Sequence, residues 1–373
     1  MTKYLIAITK ELISCPSITP NEAGCFEIIK KYLIPLKFNI KIFKKNNTTN
    51  FYARYGKNDP HLTFVGHVDV VNPGNGWIYH PFTPTIKNNN LYGRGTVDMK
   101  GAISSFIEAI KIYFKENKNF FGSISILLTS DEEGTAKYGI KYMVPWLKKT
   151  KQVPNFFLIG EPTSEKIIGD NFKTGRRGSI NNLLTIRGTQ KHVAYSNLFN
   201  TPCNKLLKII QLLIKENLDH GYMKFTESKL QITGLQTSTQ VTNIIPKNAK
   251  GYMNIRFNPH YTGNKLKNWI KNICQKNTKN IEIQSQLSAE PFKSIKSSFH
   301  QKLFYAIQET NKNTPKNSLS GGTSDGRFLH TLSPMAELGL LRKTAHQINE
   351  HVHVQDLENL SRIYNCFINF FFL

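Results

Sequence analysis

The sequence has few acidic residues and few arginines. Its 373 residues include 25 Asp and Glu against 49 Lys and Arg, and the formal net charge is +24. Such an excess is typical of proteins that bind nucleic acid or membranes. Only 9 of the basic residues are Arg, although Arg is the residue whose planar fork reads guanine and grips phosphate. The lysines follow no recognition-helix, zinc-finger or aromatic-platform pattern, so we interpret the charge as a solvated surface and expect neither nucleic acid nor membrane as a partner.

Cysteines and long apolar runs are also scarce. The 5 cysteines are far apart and form no C-x-x-C pair, which argues against a disulfide framework and against a structural zinc site. The first residues do not read as a secretory signal. The sequence also has no run of about 18 apolar residues that would cross a bilayer. We therefore expect a cytoplasmic protein.

The first half of the chain alternates strands with helices. Apolar, β-rich runs occur at 62–71, 123–130 and 156–159, and residues 101–115 have apolar side chains at helical spacing. Strands separated by helices predict a parallel α/β sheet. His67, the acids 131–133 and Glu161 stand at strand ends, where open α/β sheets bind their ligands.

The composition changes in the middle of the chain. From Arg176 to Glu290 there are 17 Lys and Arg against 5 Asp and Glu. The pattern there is β-α-β-β with a further helix at 263–274, which predicts an inserted small α+β domain at 176–291. The remaining segments, 1–175 and 292–373, are predicted to form one α/β catalytic domain.

Each candidate residue has an ordinary structural explanation when taken alone. His67 fits a surface or core position, Asp98 a helix N-cap, Glu161 a cap and the acids 131–133 a solvated turn. Together with His346 they supply the nitrogen and oxygen ligands that suit two zinc-like ions sharing a carboxylate. Two such ions can hold a hydroxide and polarise a carbonyl while an unligated acid moves protons. The set therefore predicts a hydrolase.

The sequence resembles the di-zinc aminoacylase/carboxypeptidase superfamily over essentially its whole length. The motifs that carry the resemblance are HVDVV (67–71), GRGTVDMKGA (93–102), LLTSDEEG (127–134), IGEPT (159–163), GRRGS (175–179), HVAY (192–195), NIIP (243–246), IRF (255–257), SGGTSDGRF (320–328) and AHQINE (345–350). GRRGS and SGGTSDGRF favour the branch that acts on N-succinyl-LL-2,6-diaminopimelate over acetylornithine deacetylases and dipeptidases.

The resemblance implies a zinc-peptidase-like α/β catalytic domain with an inserted ferredoxin-like α+β domain that serves as lid and dimerisation domain. It also implies two zinc ions, with cobalt possible at one site. The implied ligands are His67, Asp98 and Glu161 for one ion and Asp98, Glu133 and His346 for the other. Glu132 would be the general base, and Asp69 would orient His67.

The implied reaction is hydrolysis of N-succinyl-LL-2,6-diaminopimelate to succinate and LL-2,6-diaminopimelate, in lysine and diaminopimelate biosynthesis. His192 would reach across a homodimer into the partner's active site and stabilise the oxyanion. The residues expected to hold this small anionic substrate are Arg176, Tyr195, Asn243, Arg256, Gly322, Thr323 and Ser324. The alternatives are another N-acyl amino acid deacylase or dipeptidase of the superfamily and, further off, a basic nucleic-acid-binding protein.

Four residues depart from the pattern of the resembled proteins. Lys191, Ser196 and Asn197 flank the HVAY motif, where Gly before it and Pro-His after it are common. Arg342 replaces an Asn near His346. We expect Arg342 either to add a carboxylate clamp or to mark relaxed specificity, and the predicted metal and base positions are unaffected.

Overall fold

A computed structural model describes residues 2–195, 200–215 and 217–373. The chain forms two compact units: a large unit of Met1–Thr174, Ser294–Ser318 and Ser324–Leu373, and a small unit of Gly175–Lys293 and Leu319–Thr323. The sequence prediction placed 319–323 in the catalytic domain. In the structure Leu319–Thr323 belong to the small unit, where the Arg176 guanidinium donates to the carbonyl of Gly322 at 3.2 Å.

Helices and strands alternate along much of the described chain. The helices are α1 (Thr2–Ile13), α2 (Cys25–Leu33), α3 (Gly101–Glu116), α4 (Ile140–Lys149), α5 (Pro202–Ile214), α6 (Gly263–Asn277), α7 (Ser298–Asn311), α8 (Gly326–Leu329) and α9 (Val354–Phe372). The strands are β1 (Asn39–Lys45), β2 (Thr48–Gly56), β3 (His61–His67), β4 (Thr85–Lys87), β5 (Asn90–Tyr92), β6 (Ser123–Thr129), β7 (Phe156–Ile159), β8 (Asn171–Lys173), β9 (Gly175–Arg176), β10 (Gly178–Arg187), β11 (Lys191–His192), β12 (Lys229–Thr237), β13 (Ile244–Ile245), β14 (Asn248–Phe257), β15 (Ile281–Ala289), β16 (Phe292–Lys293), β17 (Lys316–Ser318), β18 (Met335–Glu337) and β19 (His351–His353).

The large unit is built on a mixed sheet with the order β1-β2-β6-β3-β7-β18-β8-β17. Its centre, β6-β3-β7-β18, is parallel, and β1 and β2 extend it as antiparallel strands. Every residue of β3, β6 and β7 is buried, which explains why these strands read as continuous apolar runs. Phe64 of β3 stacks on Phe106 of α3 with ring centroids 4.3 Å apart. The predicted α/β class is confirmed, with antiparallel strands that the sequence pattern did not reveal.

The small unit has the ferredoxin-like arrangement that the resemblance implied. Its four-stranded sheet has the order β12-β14-β10-β15, and all neighbouring strands are antiparallel. In chain order the elements are β10, α5, β12, β14, α6 and β15, which is a split β-α-β topology. Apolar residues of both helices and the sheet, such as Leu206, Leu266 and Ile255, form a separate hydrophobic core. The small unit therefore has a core of its own.

Three adjacent parallel strands end at one edge of the large sheet. β3 ends at His67, β6 at Thr129 and β7 at Ile159. The predicted strand 62–71 is too long, because the chain leaves the sheet after His67 and Val70 makes only an isolated bridge to Ile18. This early end lets the residues after His67 turn back toward its side chain.

The 5 cysteines are all free thiols. Among the described residues, no helix combines the length and the apolar character that crossing a membrane requires.

His61 makes the stability of the large unit sensitive to acid. It starts β3 and is 1% exposed, and its Nε2 lies 2.8 Å from Ser125 Oγ. Burial, with the nearby Arg54 charge, lowers its pKa to about 3. The unfolded chain therefore binds this proton more readily, so stability present above pH 6.5 is lost as the pH falls toward 3.

We expect His61 to account for a loss of about 2 kcal/mol of unfolding free energy between pH 7 and pH 5. Urea denaturation at both pH values should show a smaller loss in His61→Gln than in the wild type. His220→Gln, at an exposed histidine, is the control and should keep the wild-type pH dependence. An equal loss in His61→Gln and wild type would contradict the assignment.

Candidate metal centre

Asp98 joins two groups of potential ligands at the end of the large sheet. Its Oδ1 lies 3.1 Å from Nε2 of His67, and its Oδ2 lies 3.2 Å from Nε2 of His346. Glu161 approaches the same nitrogen of His67 at 3.7 Å, and Glu133 approaches His346 at 2.6 Å. The structure thus brings together all five residues predicted as metal ligands and places Asp98 between the two halves.

The backbone around His67 fixes the orientation of its ring. The Nδ1 atom donates to the backbone carbonyl of Asp69 at 2.8 Å, which leaves the Nε2 lone pair directed at the other ligands. The Asp69 carboxylate lies 3.7 Å from Nδ1, beyond hydrogen-bond length. It instead accepts from the backbone N–H groups of Glu132 and Glu133 at 3.3 and 3.1 Å. Asp69 orients His67 through its carbonyl, and its carboxylate positions the acidic loop.

The carboxylates create a strongly negative potential at this edge. Burial alone would lower the pKa of His67, but its hydrogen bond to Asp98 and the nearby carboxylate charges raise it well above the usual value. The hydrogen bonds from His346 to Asp98 and Glu133 raise its pKa to about 10. Burial opposes the ionisation of Asp98, yet the hydrogen bonds from both histidines hold its pKa far below the usual range. The site therefore strongly favours positive charge.

The donors fit divalent metal ions. Ligand atoms of His67, Asp98 and Glu161 lie within 4.8 Å of one another, and so do those of Asp98, Glu133 and His346. Imidazole nitrogen with carboxylate oxygen is a donor set that zinc accepts. A third cluster in the described chain joins His67, Glu132 and Glu133. Two ions that share Asp98 would use every predicted ligand and leave Glu132 free.

Glu132 sits beside these ligands in a low-dielectric position. Burial and the charge of Glu161 raise the pKa of its carboxyl well above the usual value. The preceding residue, Asp131, accepts from the backbone N–H groups of Thr135, Ala136 and Tyr138 at 3.1 to 3.2 Å. These bonds fold the chain back after β6. Asp131 therefore stabilises the turn, while Glu132 and Glu133 lie at the candidate metal centre.

Arg94 and Glu350 form a buried ion pair that sequence reasoning missed. Their side chains are 2% and 0% exposed, with Nη1 and Oε2 2.7 Å apart. Glu350 also accepts from the backbone N–H groups of Gly95, Val97 and Asp98. The only sequence signal was their place inside the GRGTVDMKGA and AHQINE motifs. The pair holds the loop that carries Asp98.

The same pair supports the loop that carries His346. The Arg94 guanidinium donates to the backbone carbonyls of His346 and Gln347 at 3.5 and 3.2 Å. His346 has φ +62°, a left-handed conformation that non-glycine residues adopt rarely and at a cost. Arg94 and Glu350 therefore connect the backbones of two ligand loops.

The small unit gathers three guanidinium groups. Arg176 is buried and bonded to Gly322, and Arg177 donates to the carbonyl of Glu227 at 2.8 Å. Arg256 donates from Nε to Asn254 at 3.0 Å. Burial, with the charges of Arg177 and Arg176, lowers the pKa of Arg256. This mutual repulsion makes the cluster favourable for an anion, and Arg177 is a member that the sequence analysis did not single out.

The other predicted small-unit residues lie at the surface. His192 and Asn243 are exposed, Tyr195 is 85% exposed, and the His192 and Tyr195 ring centroids are 5.5 Å apart. Lys191 is exposed on β11. Ser196 and Asn197 lie outside the described residues. The predicted roles of His192, Tyr195 and Asn243 stay predictions.

Two further polar residues, Ser324 and Arg342, bond to carboxylates of the large unit. Ser324 is fully buried, and its hydroxyl donates to Glu337 while accepting from the N–H of Gly326. Its hydroxyl therefore positions the turn, and the substrate contact predicted for Ser324 stays a prediction. Arg342 pairs with Glu165 at 2.7 Å, and both side chains are nearly half exposed. This pair occupies the guanidinium that we had considered as a carboxylate clamp.

The chain is similar to known enzymes over nearly its full length. A family model described as peptidase family M20/M25/M40 matches residues 63–369. A succinyl-diaminopimelate desuccinylase from Pelagibacter ubique (strain HTCC1062) is 41% identical over 378 residues, covering 98% of this chain and 98% of that protein. The enzyme of the same name from Rickettsia rickettsii (strain Sheila Smith) is 41% identical and covers 96% of this chain and 97% of its own.

Solved structures share the fold at low sequence identity. An M20 family metallo-carboxypeptidase from Sulfolobus solfataricus has a TM-score of 0.81 at 18% identity, with 99% of each chain covered. The aminopeptidase PepT from Bacillus cereus has a TM-score of 0.77 at 20% identity, covering 100% of this chain and 99% of its own. These likenesses extend across both units.

Proposed function

The chain belongs to peptidase family M20/M25/M40, and from this premise we propose that it hydrolyses N-succinyl-LL-2,6-diaminopimelate to succinate and LL-2,6-diaminopimelate. The two relatives described above are 41% identical over nearly the whole chain, and both are named succinyl-diaminopimelate desuccinylase. The observation that carries the proposal is the pair of ligand groups sharing Asp98, neither of which includes the neighbouring Glu132. The reaction belongs to lysine and diaminopimelate biosynthesis, and we place it in the cytoplasm.

The ligands suit two zinc ions, with cobalt as a substitute at one position. His67, Asp98 and Glu161 would hold one ion, and Asp98, Glu133 and His346 the other. When bound, a pair of divalent ions polarises the amide carbonyl and makes a water molecule acidic enough to ionise near neutral pH.

Glu132 performs the proton transfers in the proposed reaction. As a carboxylate it accepts a proton from the attacking water, and as a carboxylic acid it delivers that proton to the departing amine nitrogen. The hydrogen bonds from its backbone N–H and that of Glu133 to Asp69 fix the backbone that carries the side chain. Its partly buried position suits both states, because reduced solvation raises the pKa of the carboxyl and so favours a base that takes and returns a proton.

The guanidinium cluster of the small unit supplies substrate binding in this proposal. Arg176 and Arg256, with Arg177 beside them, are positive groups whose forks match carboxylates. The substrate carries three carboxylates, which fits a cluster whose members repel one another in its absence. Gly322 and Thr323 lie on the turn that Arg176 holds.

Substrate preference tests the proposal. We expect kcat/KM for the N-succinyl substrate to exceed that for N-acetyl-LL-2,6-diaminopimelate by about 10²-fold, because the acetyl group leaves a charged subsite unpaired. Steady-state kinetics of the zinc-loaded protein gives the ratio. Equal or reversed preference would overturn the assignment in favour of another deacylase or peptidase of the family.

We infer that the small unit is also the dimerisation domain and lid. Exposed apolar side chains on this unit support the inference: Leu207 and Ile214 on α5, Leu235 on β12 and Val241 are each about half exposed. Exposed apolar side chains of this kind are typical of a homodimer interface. The exposed His192 would then serve the active site of the partner subunit.

Subunit mixing tests this inference. Glu132→Gln and His192→Ala should each be nearly inactive as homodimers. After co-refolding, a mixed dimer regains one intact site, so equal mixing should restore about a quarter of wild-type activity. Mixing Glu132→Gln with Glu133→Gln is the control. Both lesions lie in the large unit, so each active site of this mixed dimer keeps one lesion, and activity should not rise above that of the unmixed variants. Absence of recovery in the first mixture would contradict action across the dimer.

A further inference from the structure

A second polar cavity lies in the large unit away from the metal centre. It has a volume of about 570 Å³ and is lined by residues of β1, β2, the start of β3 and the end of α4. His61 and His67 are the first and last residues of the seven-residue strand β3. At 3.3 Å per residue, the two ends are about 20 Å apart. The cavity is therefore distinct from the site that the proposed function uses.

The cavity wall is basic. Lys41, Arg54, Lys57 and Lys151 line it, and Asp59 is its one carboxylate. Among the described residues, no ion pair within 4 Å neutralises any of these four cations, in contrast to Arg94 or Arg342. A concave surface with one sign of charge concentrates ions of the opposite sign.

Hydrogen bonds hold one of these cations in place. The Arg54 guanidinium donates to Gln152 Oε1 at 2.7 Å and to Ser123 Oγ at 2.8 Å. The hydroxyl of the buried Tyr52 donates to the same Gln152 oxygen at 2.7 Å. The backbone N–H of Gln152 in turn donates to the backbone carbonyl of Leu147 at 2.8 Å. The floor of the cavity is therefore preorganised.

We propose that this cavity binds a small phosphate-bearing anion. Lysine ammonium groups bind phosphate oxygens as compact point charges, and the fixed Arg54 guanidinium adds a planar set of donors that matches a phosphate. The volume is sufficient for a phosphorylated metabolite. The half-buried Trp146 lies in the wall with the Lys41 ammonium 5.7 Å from its ring, which gives the site a fluorescent reporter.

Pyrophosphate is the probe for this proposal. Titration calorimetry of the metal-loaded protein should detect binding, and Trp146 fluorescence should change with the same midpoint. Lys57→Gln/Lys151→Gln removes two exposed cavity cations and should weaken binding at least tenfold. Lys148→Gln/Lys149→Gln, the matched control, removes two exposed lysines of neighbouring sequence that do not line the cavity, and should change affinity less than twofold.

The outcomes separate this cavity from the metal centre and from a general anion site. Equal pyrophosphate affinity in the two double variants would place binding elsewhere and overturn the proposal. If citrate bound as tightly as pyrophosphate, with the same dependence on Lys57 and Lys151, the proposal that the ligand is a phosphate-bearing anion would be overturned. Hydrolysis of the succinyl substrate should be unchanged in both double variants, so failure here leaves the proposed function untouched.

Discussion

Glu132→Gln should abolish turnover while leaving metal binding intact. The amide keeps the size of the side chain but cannot accept and return a proton, and general acid–base catalysis contributes on the order of 10²–10⁴ to rates. We therefore expect kcat to fall by about 10³-fold. Because the ligand groups that share Asp98 do not need Glu132, the variant should retain two divalent ions per chain by elemental analysis.

Glu133→Gln is the matched comparison for this prediction. It changes the neighbouring acid in the same way, but Glu133 contacts His346 at 2.6 Å and belongs to the second ligand group. We expect it to lose metal as well as activity. Full activity in Glu132→Gln would remove Glu132 from its role, and metal loss in that variant would make it a ligand.

The sequence was informative where chemistry coincides with strand ends. His67, Glu132, Glu133 and Glu161 follow three apolar runs, and parallel neighbours bring such ends together. Asp98 and His346 stand in loops whose conformation no periodicity predicts. The sequence made them candidates by residue type, the resemblance implied their places as ligands, and the structure supplies the physical reason in the contacts of Arg94 with Glu350.

Other features depend on partners far apart in sequence. Glu350 lies more than 250 residues from Arg94, and nothing local marks either as buried. The same is true of Ser324, which sits in a glycine-rich turn typical of ligand contact but bonds to Glu337 in the core. Strand direction at the sheet edge, where β1 and β2 run antiparallel, was equally hidden because both orientations bury similar side chains.

Glu350→Gln should destabilise the large unit and loosen the metal centre together. Removing one member of a buried ion pair leaves an uncompensated charge, at a cost of about 3–5 kcal/mol. It also weakens the bonds that hold the backbone of Asp98, and loss of such supporting contacts lowers metal affinity about 10–100-fold. Urea denaturation and competition with a chromophoric zinc chelator measure the two effects.

Glu165→Gln provides the control, because its pair with Arg342 has the same 2.7 Å separation but is nearly half exposed. Exposed pairs contribute at most about 1 kcal/mol, so this variant should keep both its stability and its zinc affinity. Glu350→Asp tests positioning separately, since it restores the charge with a shorter reach: it should recover more stability than metal affinity if geometry at Asp98 matters. Unchanged zinc affinity in Glu350→Gln, whatever its stability, would reduce the Arg94–Glu350 pair to a structural contact.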